Sequence, residues 1–253
     1  MNKSLVVLGL LSLFGAAAHA EEAANPLSFN VGAVSDYRYR GISQTRMQPA
    51  IQGGADYAFA SGLYVGTWLS TISWIRDAGK INSVDAGNTR VEVDLYAGYK
   101  GEVVKDLAYD IGVLAYVYPG NNYANVPGSA NANTTELYGA LTYAQFTAKY
   151  STALTNTFGN GRSKHSGYLD LSATFDLGGG FSVVPHVGRQ TIRSSAPSAN
   201  YTDYSLSVSK DVVPGLTLSA SAVGTNADKN VYYAPDNKFL GKSALVIGAK
   251  YSF

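Results

Sequence analysis

The closing stretch "SALVIGAKYSF", residues 243–253, decides how the rest of the chain is read. Leu245, Ile247, Ala249, Tyr251 and Phe253 fall on one face, and Gly248, Lys250 and Ser252 on the other. Successive side chains of a strand point to opposite faces, so this period of two describes a strand with one apolar and one wet side. The same pattern runs through "LTLSASAV" from Leu216, "DYSLSVSK" from Asp203, "VEVDLYAGYK" from Val91 and "YLDLSATFDL" from Tyr168. A helical period of 3.6 fits none of them.

Extending that test predicts about twelve strands, near residues 28–39, 49–59, 63–73, 89–101, 107–118, 135–144, 146–155, 166–177, 181–191, 201–211, 216–225 and 243–253. Their connections alternate in length. Tight ones hold Ser61-Gly62, residues 102–106, Ala144-Gln145, Gly178-Gly179-Gly180 and Pro214-Gly215. Long ones, most of them rich in Asn, Ser, Gly and Pro, cover 41–48, 74–88, 119–134, 156–165, 193–200 and 226–242. Short turns at one end and long loops at the other are the pattern of an outer-membrane β-barrel, with both termini in the periplasm. A secreted β-sandwich is the competing fold, but it has no reason to sort its loops this way.

Composition agrees with a closed sheet. The 253 residues carry a net charge of +1, so nucleic acid is not an expected partner. There is no cysteine, so disulfides do not hold an exported chain together. Mean hydropathy is −0.03, and no later apolar run is long enough for a helical span. Residues 1–20, "MNKSLVVLGLLSLFGAAAHA", read as a secretory signal peptide ending in Ala18-His19-Ala20, with the barrel occupying 21–253. Strand ends carry Tyr57, Phe59, Tyr99, Tyr109, Phe175, Phe181, Tyr251 and Phe253, placed for interfacial girdles against outer-membrane lipid. A C-terminal strand ending at Phe253 is the expected handle for the barrel-assembly machinery of a Gram-negative envelope.

The wet faces carry the function. The pore-lining candidates are Asp36, Arg38, Arg40, Asp56, Glu92, Asp94, Asp110, Asp170, His186, Asp203 and Lys250. Twelve strands lie between a barrel filled by its own side chains and one with an open channel, so a narrow pore for small solutes or ions is the expectation. Acids outnumber bases on these faces, which leans a pore toward cations unless Arg38 and Arg40 dominate the constriction. Two other readings stay open: a barrel that conducts nothing and binds through its loops, and a rim hydrolase using His165. No H-E-x-x-H, G-x-S-x-G or Walker pattern occurs, and neither cofactor nor metal is expected.

The most compact cluster of charge is "VSDYRYRGISQT", residues 34–45. Alternation turns Asp36, Arg38 and Arg40 inward and Tyr37 and Tyr39 toward the lipid boundary, with Gly41 releasing the strand into its loop. Cross-strand pairing of Asp36 with the arginines, bracing the wall, is the alternative.

The run "NVGAVSDYRYRGISQT", followed by "PAIQGGADYAFASGLYVGTWLS" and "EVDLYAGY", resembles the TorF porin family of proteobacteria over nearly the whole mature chain. Ser35, Asp36, Tyr37, Arg40, Gly41, Ser43 and Gln44 carry the most specific part. Gly62, Tyr64, Gly66, Trp68, Ser70, Glu92, Asp94 and Tyr96 support it. The resemblance implies an outer-membrane barrel with channel activity, and no substrate or catalytic residue.

Overall fold

The computed structural model describes residues 25–193 and 199–253, and before them only a backbone pairing of Val6–Val7 with Ala16–Ala17. The leader read over residues 1–20 therefore lies almost wholly outside the described residues. Among the described residues, twelve antiparallel crossings form one closed sheet: β1 Leu27–Val34, β2 Ala50–Ala58, β3 Leu63–Thr71, β4 Val91–Val104, β5 Leu107–Val117, β6 Thr134–Tyr143, β7 Phe146–Ala153, β8 Gly167–Ala173 resuming as Phe175–Gly178, β9 Phe181–Thr191, β10 Tyr201–Val213, β11 Leu216–Thr225 and β12 Ala244–Ser252. Each strand pairs with its sequence neighbours. Closure comes from β12 on β1, with Gly248 opposite Val34 and Ser252 opposite Asn30. Among the described residues the barrel sheet has no open edge to expose unpaired backbone groups, the condition a sheet must meet to stand in lipid.

Packing is inverted relative to a soluble domain. Leu245, Ile51 and Leu177 are each more than 60% exposed on the outer face, while Glu92, Asp94 and Ser221 are at most 2% exposed inside. At the turn end, Tyr57, Phe59, Tyr99, Tyr143, Phe146, Phe175, Phe181, Tyr251 and Phe253 form an exposed aromatic ring, in which Tyr251 stacks on Phe253 and Tyr57 meets Phe59 edge-on. Tyr109 packs against Tyr99 in the same ring.

On the inner wall, large rings lie flat over glycines of the neighbouring strand. Tyr64 is the register partner of Gly98, Tyr96 of Gly66, Trp68 of Gly54 and Tyr138 of Gly112. A Cβ on Gly112 would stand 2.6 Å from the Ala97 carbonyl and 2.5 Å from the Tyr138 ring. We expect Gly112→Val to cost about 1–3 kcal/mol by overpacking, read as a lower urea midpoint in micelles.

Trp68, which breaks the apparent alternation in β3, points inward. The larger correction falls on the first strand. It ends at Val34, not near 39, and residues 35–49 turn into the barrel. Loops at the same end pack over it. The 72–90 connection forms helix α1, Trp74–Asn82, whose Ser73 hydroxyl donates to Asp77 Oδ2 at 3.0 Å. Ile75 is fully buried, and the Trp74 ring meets Tyr118 and Tyr123 of the next loop edge-on.

Candidate functional site

The inserted loop is built around a two-residue turn. Arg38 pairs with Ser43 and Tyr39 with Ile42, leaving Arg40 and Gly41 at the tip with φ of 47° and 80°. Positive φ at both central residues is the type I′ hairpin geometry, which glycine at the second position suits. Gly41 is required for a second reason. A Cβ there would sit 2.7 Å from Asp203 Cβ on β10, so the tip presses against the wall three strands round from β1. Gly41 therefore does not release a strand into its loop but lets a hairpin cross the lumen.

Asp36 fixes the hairpin's base. It accepts from Arg38 Nε at 2.6 Å, from Ser43 Oγ at 2.6 Å and from Thr45 Oγ1 at 3.3 Å. Arg38 Nη1 also donates to the carbonyls of Gly41 and Leu240, both at 3.0 Å, tying the last long loop onto the hairpin. Ser35 Oγ accepts from Ile247 N of β12 at 3.0 Å. The charged pairing thus lies within the loop and not across strands of the wall.

Tyr37 and Tyr39 are the clearest reversal. Both are buried in the lumen and not at the lipid boundary. The strand alternation that predicted otherwise ends at Val34, so its phase does not carry through. The Tyr37 hydroxyl donates to Glu92 Oε1 at 2.6 Å, with its ring edge-on to Trp68. The Tyr39 hydroxyl donates to Tyr116 at 2.7 Å, which in turn donates to Glu136 Oε2 at 3.3 Å. Burial pushes both loop phenols well above their ordinary pKa, so they remain protonated donors.

Arg40 is the anchor. Its Nη2 meets Glu136 Oε2 at 2.7 Å and its Nη1 donates to Gln190 Oε1 at 2.6 Å, while the guanidinium stacks 4.2 Å from the Tyr168 ring centroid. Both members of the Arg40–Glu136 pair are almost fully buried. From the first loop the contacts therefore reach β3, β4, β5, β6, β8, β9, β10 and β12. The hairpin crosses the loop-end half of the lumen and fills it.

Below it the wall is wetter. Asn30, Gln52, Asp56, Asp170, His186, Ser205 and Ser219 are only partly buried, and Lys250 stands on β12 opposite Gly32. His186 Nε2 is 3.2 Å from Asp170 Oδ2, and the Tyr168 hydroxyl donates to both oxygens of Asp203, at 3.0 and 3.1 Å. Asp56 accepts from Tyr96 and Asp110 from Tyr64, each at 2.6 Å. With Glu92, Glu136 and Asp203, five inward carboxylates accept a tyrosine hydroxyl. Asp94 is buried beneath the hairpin, its Oδ1 without a hydrogen-bond partner among the described residues.

Of the sequence candidates, Asp36, Arg38, Arg40, Glu92, Asp94 and Asp203 share the filled half, and Asp56, Asp110, Asp170, His186 and Lys250 the wetter one. Tyr116, Tyr168 and Gln190 complete the site without having been singled out, although all three fall on the inward phase of their strands. His165 stands exposed on the loop between β7 and β8, and no hydroxyl or carboxylate bonds its ring among the described residues.

The closed twelve-stranded antiparallel barrel, apolar outside and polar within, is a fold that this chain shares with solved porins. Among solved structures it resembles the KdgM porin, at a TM-score of 0.55 and 7% identity over 89% of this chain and 99% of that one. It also resembles a KdgM porin solved in complex with disordered oligogalacturonate, at 0.54 and 7% over 90% and 98%. The NanC porin matches at 0.54 and 11% identity, over 89% of this chain and 98% of that one. At such identities the likeness is one of fold. Residues 18–253 match the family model described as "Bacterial protein of unknown function (Gcw_chp)", and the chain belongs to that family. The match does not carry the TorF name, and no curated protein sequence matches the chain.

Proposed function

We propose that this protein is a porin-like outer-membrane channel through which small polar solutes diffuse passively, with the hairpin of residues 35–49 as its constriction. The TorF resemblance and the porin neighbours support this reading. The observation that carries it is the lumen itself: a wall of serine, asparagine, glycine and tyrosine-bound carboxylates, crossed at one level by a loop in contact with eight strands. Water wets such a surface, and a solute meets hydrogen-bonding groups and opposed charges in place of an apolar core.

Internal pairing changes what the loop arginines do. Arg38 and Arg40 are spent on Asp36 and Glu136, so they set the width of the constriction before they set its charge selectivity. Purified protein in a planar bilayer is expected to give discrete conductance steps. Arg38→Ala combined with Arg40→Ala enlarges the step and shifts ion selectivity. A flat trace from protein whose heat-modifiable gel migration proves it folded overturns the channel.

One observation favours a second reading, a barrel that does not conduct. The loop-end half is filled by buried Tyr37, Tyr39, Arg40 and Tyr116, with α1 and the following loop packed above them. In that case the flat trace is the native behaviour, and the loops are the working surface.

A further inference from the structure

We propose that the flank of the barrel formed by β8, β9, the 154–166 loop and Arg193 holds a phosphorylated glycolipid of the outer leaflet. This rests on the reading of the barrel as membrane-spanning. The strands' outward positions are apolar or uncharged with two exceptions among the described residues, Arg189 and Lys210.

These two are treated differently by the fold. Lys210, near the turn end, is satisfied by the chain: its ammonium donates to the Gly179 carbonyl and lies 4.0 Å from the Phe181 ring centroid. Arg189, near the loop end, is exposed, and Nη1 donating to Thr202 Oγ1 at 3.1 Å is its one hydrogen bond among the described residues. A guanidinium has five N–H donors, so most of its fork faces outward.

Its depth is informative. Arg189 pairs with Leu169 on one side and Thr202 on the other, and Leu169 pairs with Tyr150. One row toward the turn end the outward residues are Leu171, Val187 and Tyr204. One row the other way stands Thr191. Arg189 is thus at the step from apolar to polar wall, the level of lipid headgroups, where an interfacial cation costs little and a phosphate can accept bidentate hydrogen bonds.

The loops above extend the same charge. Residues 154–166 and 192–200 contain Arg162, Lys164, His165 and Arg193 and no Asp or Glu. Arg162, Lys164 and Arg193 are exposed, and Arg193 N donates to Ser166 Oγ at 2.9 Å, which ties Arg193 to the end of the 154–166 loop. Elsewhere on that end, the 72–90 and 226–243 connections mix acids with bases, and 118–133 carries no charge. The described charges of this corner are therefore one-signed, with Arg189 next to lipid at headgroup height and the others exposed on the loops beyond it.

The test is native mass spectrometry of the folded barrel in micelles, titrated with bisphosphorylated lipid A, with its dephosphorylated form and with inorganic phosphate. The wild type is expected to retain the bisphosphorylated lipid, and Arg189→Leu to bind it about tenfold more weakly, as loss of a charge-assisted contact requires. Adding Arg193→Gln and Lys164→Gln removes the remainder. Equal retention by wild type and Arg189→Leu, or equal retention of the dephosphorylated lipid, overturns the proposal. Inorganic phosphate competing at the lipid's own concentration also overturns it, because the site would then be one for free anions. Arg189 lies outside the lumen, so Arg189→Leu should leave bilayer conductance unchanged. Loss of conductance in the wild type with lipid still retained would sink the channel alone. Failure of the barrel to enter vesicles would sink the membrane reading and this proposal together.

Discussion

Replacing residues 36–47 by a short glycine-serine connection is expected to leave the barrel folded and raise its single-channel conductance several-fold. The wall allows it, because Val34 and Ala50 are already register partners and a tight turn can join them. The loop contributes no strand to the closed sheet, whose continuity runs through β1 with β2 and β1 with β12. What it contributes is matter in the lumen. Taking it out exposes Glu92, Glu136, Tyr116 and Gln190 to water, and twelve strands then enclose more space than their own side chains fill. The measurement is conductance in planar bilayers, alongside heat-modifiable migration as the check on folding. A folded deletion with the step size of the wild type would show that the hairpin is not the constriction.

Arg40→Leu carries the largest expected cost of any single substitution in the loop. The guanidinium bonds Glu136 and Gln190 and stacks on Tyr168, with pair members each only 4% exposed. Removing one partner strands a buried carboxylate, and such losses are typically about 3–5 kcal/mol. The expected result is a lower urea midpoint for release of the loop, followed by the fluorescence of Trp68, whose ring touches Tyr37. Arg40→Leu with Glu136→Leu should recover most of that loss, because the orphaned charge is gone. If the double variant is no better than the single one, the pair is not what holds the hairpin. Such a release should also widen the constriction, linking the stability measurement to the conductance one.

Most of the architecture was legible in the sequence. Alternation is a local property, fixed by which residues follow one another, and it requires only that one side of every strand meet lipid and the other water. Twelve segments, their alternating turn lengths and the inward phase of their strands therefore emerged from the chain and recur in the sheet. The outward strand positions confirm the phase from the other side, since among the described residues only Arg189 and Lys210 interrupt them with charge.

The stretch 34–45 shows where that reasoning stops. Its alternating tyrosines and arginines look like a continuing strand, and the same period of two assigns Tyr37 and Tyr39 to lipid. Only Gly41 there suits the second position of a type I′ turn; Arg40 carries no preference for the positive φ of 47° it adopts, so the local sequence reads as a strand and not as a hairpin. Nor did it determine where the hairpin would go. That was decided by contacts 50 to 200 residues away in the chain, Tyr37 with Glu92, Arg40 with Glu136 and Gln190, and Arg38 with Leu240. Only closure of the barrel brings those partners within reach of one another. Local periodicity fixed the wall of this protein, and the closed sheet, by placing distant polar groups around one small lumen, decided what fills it.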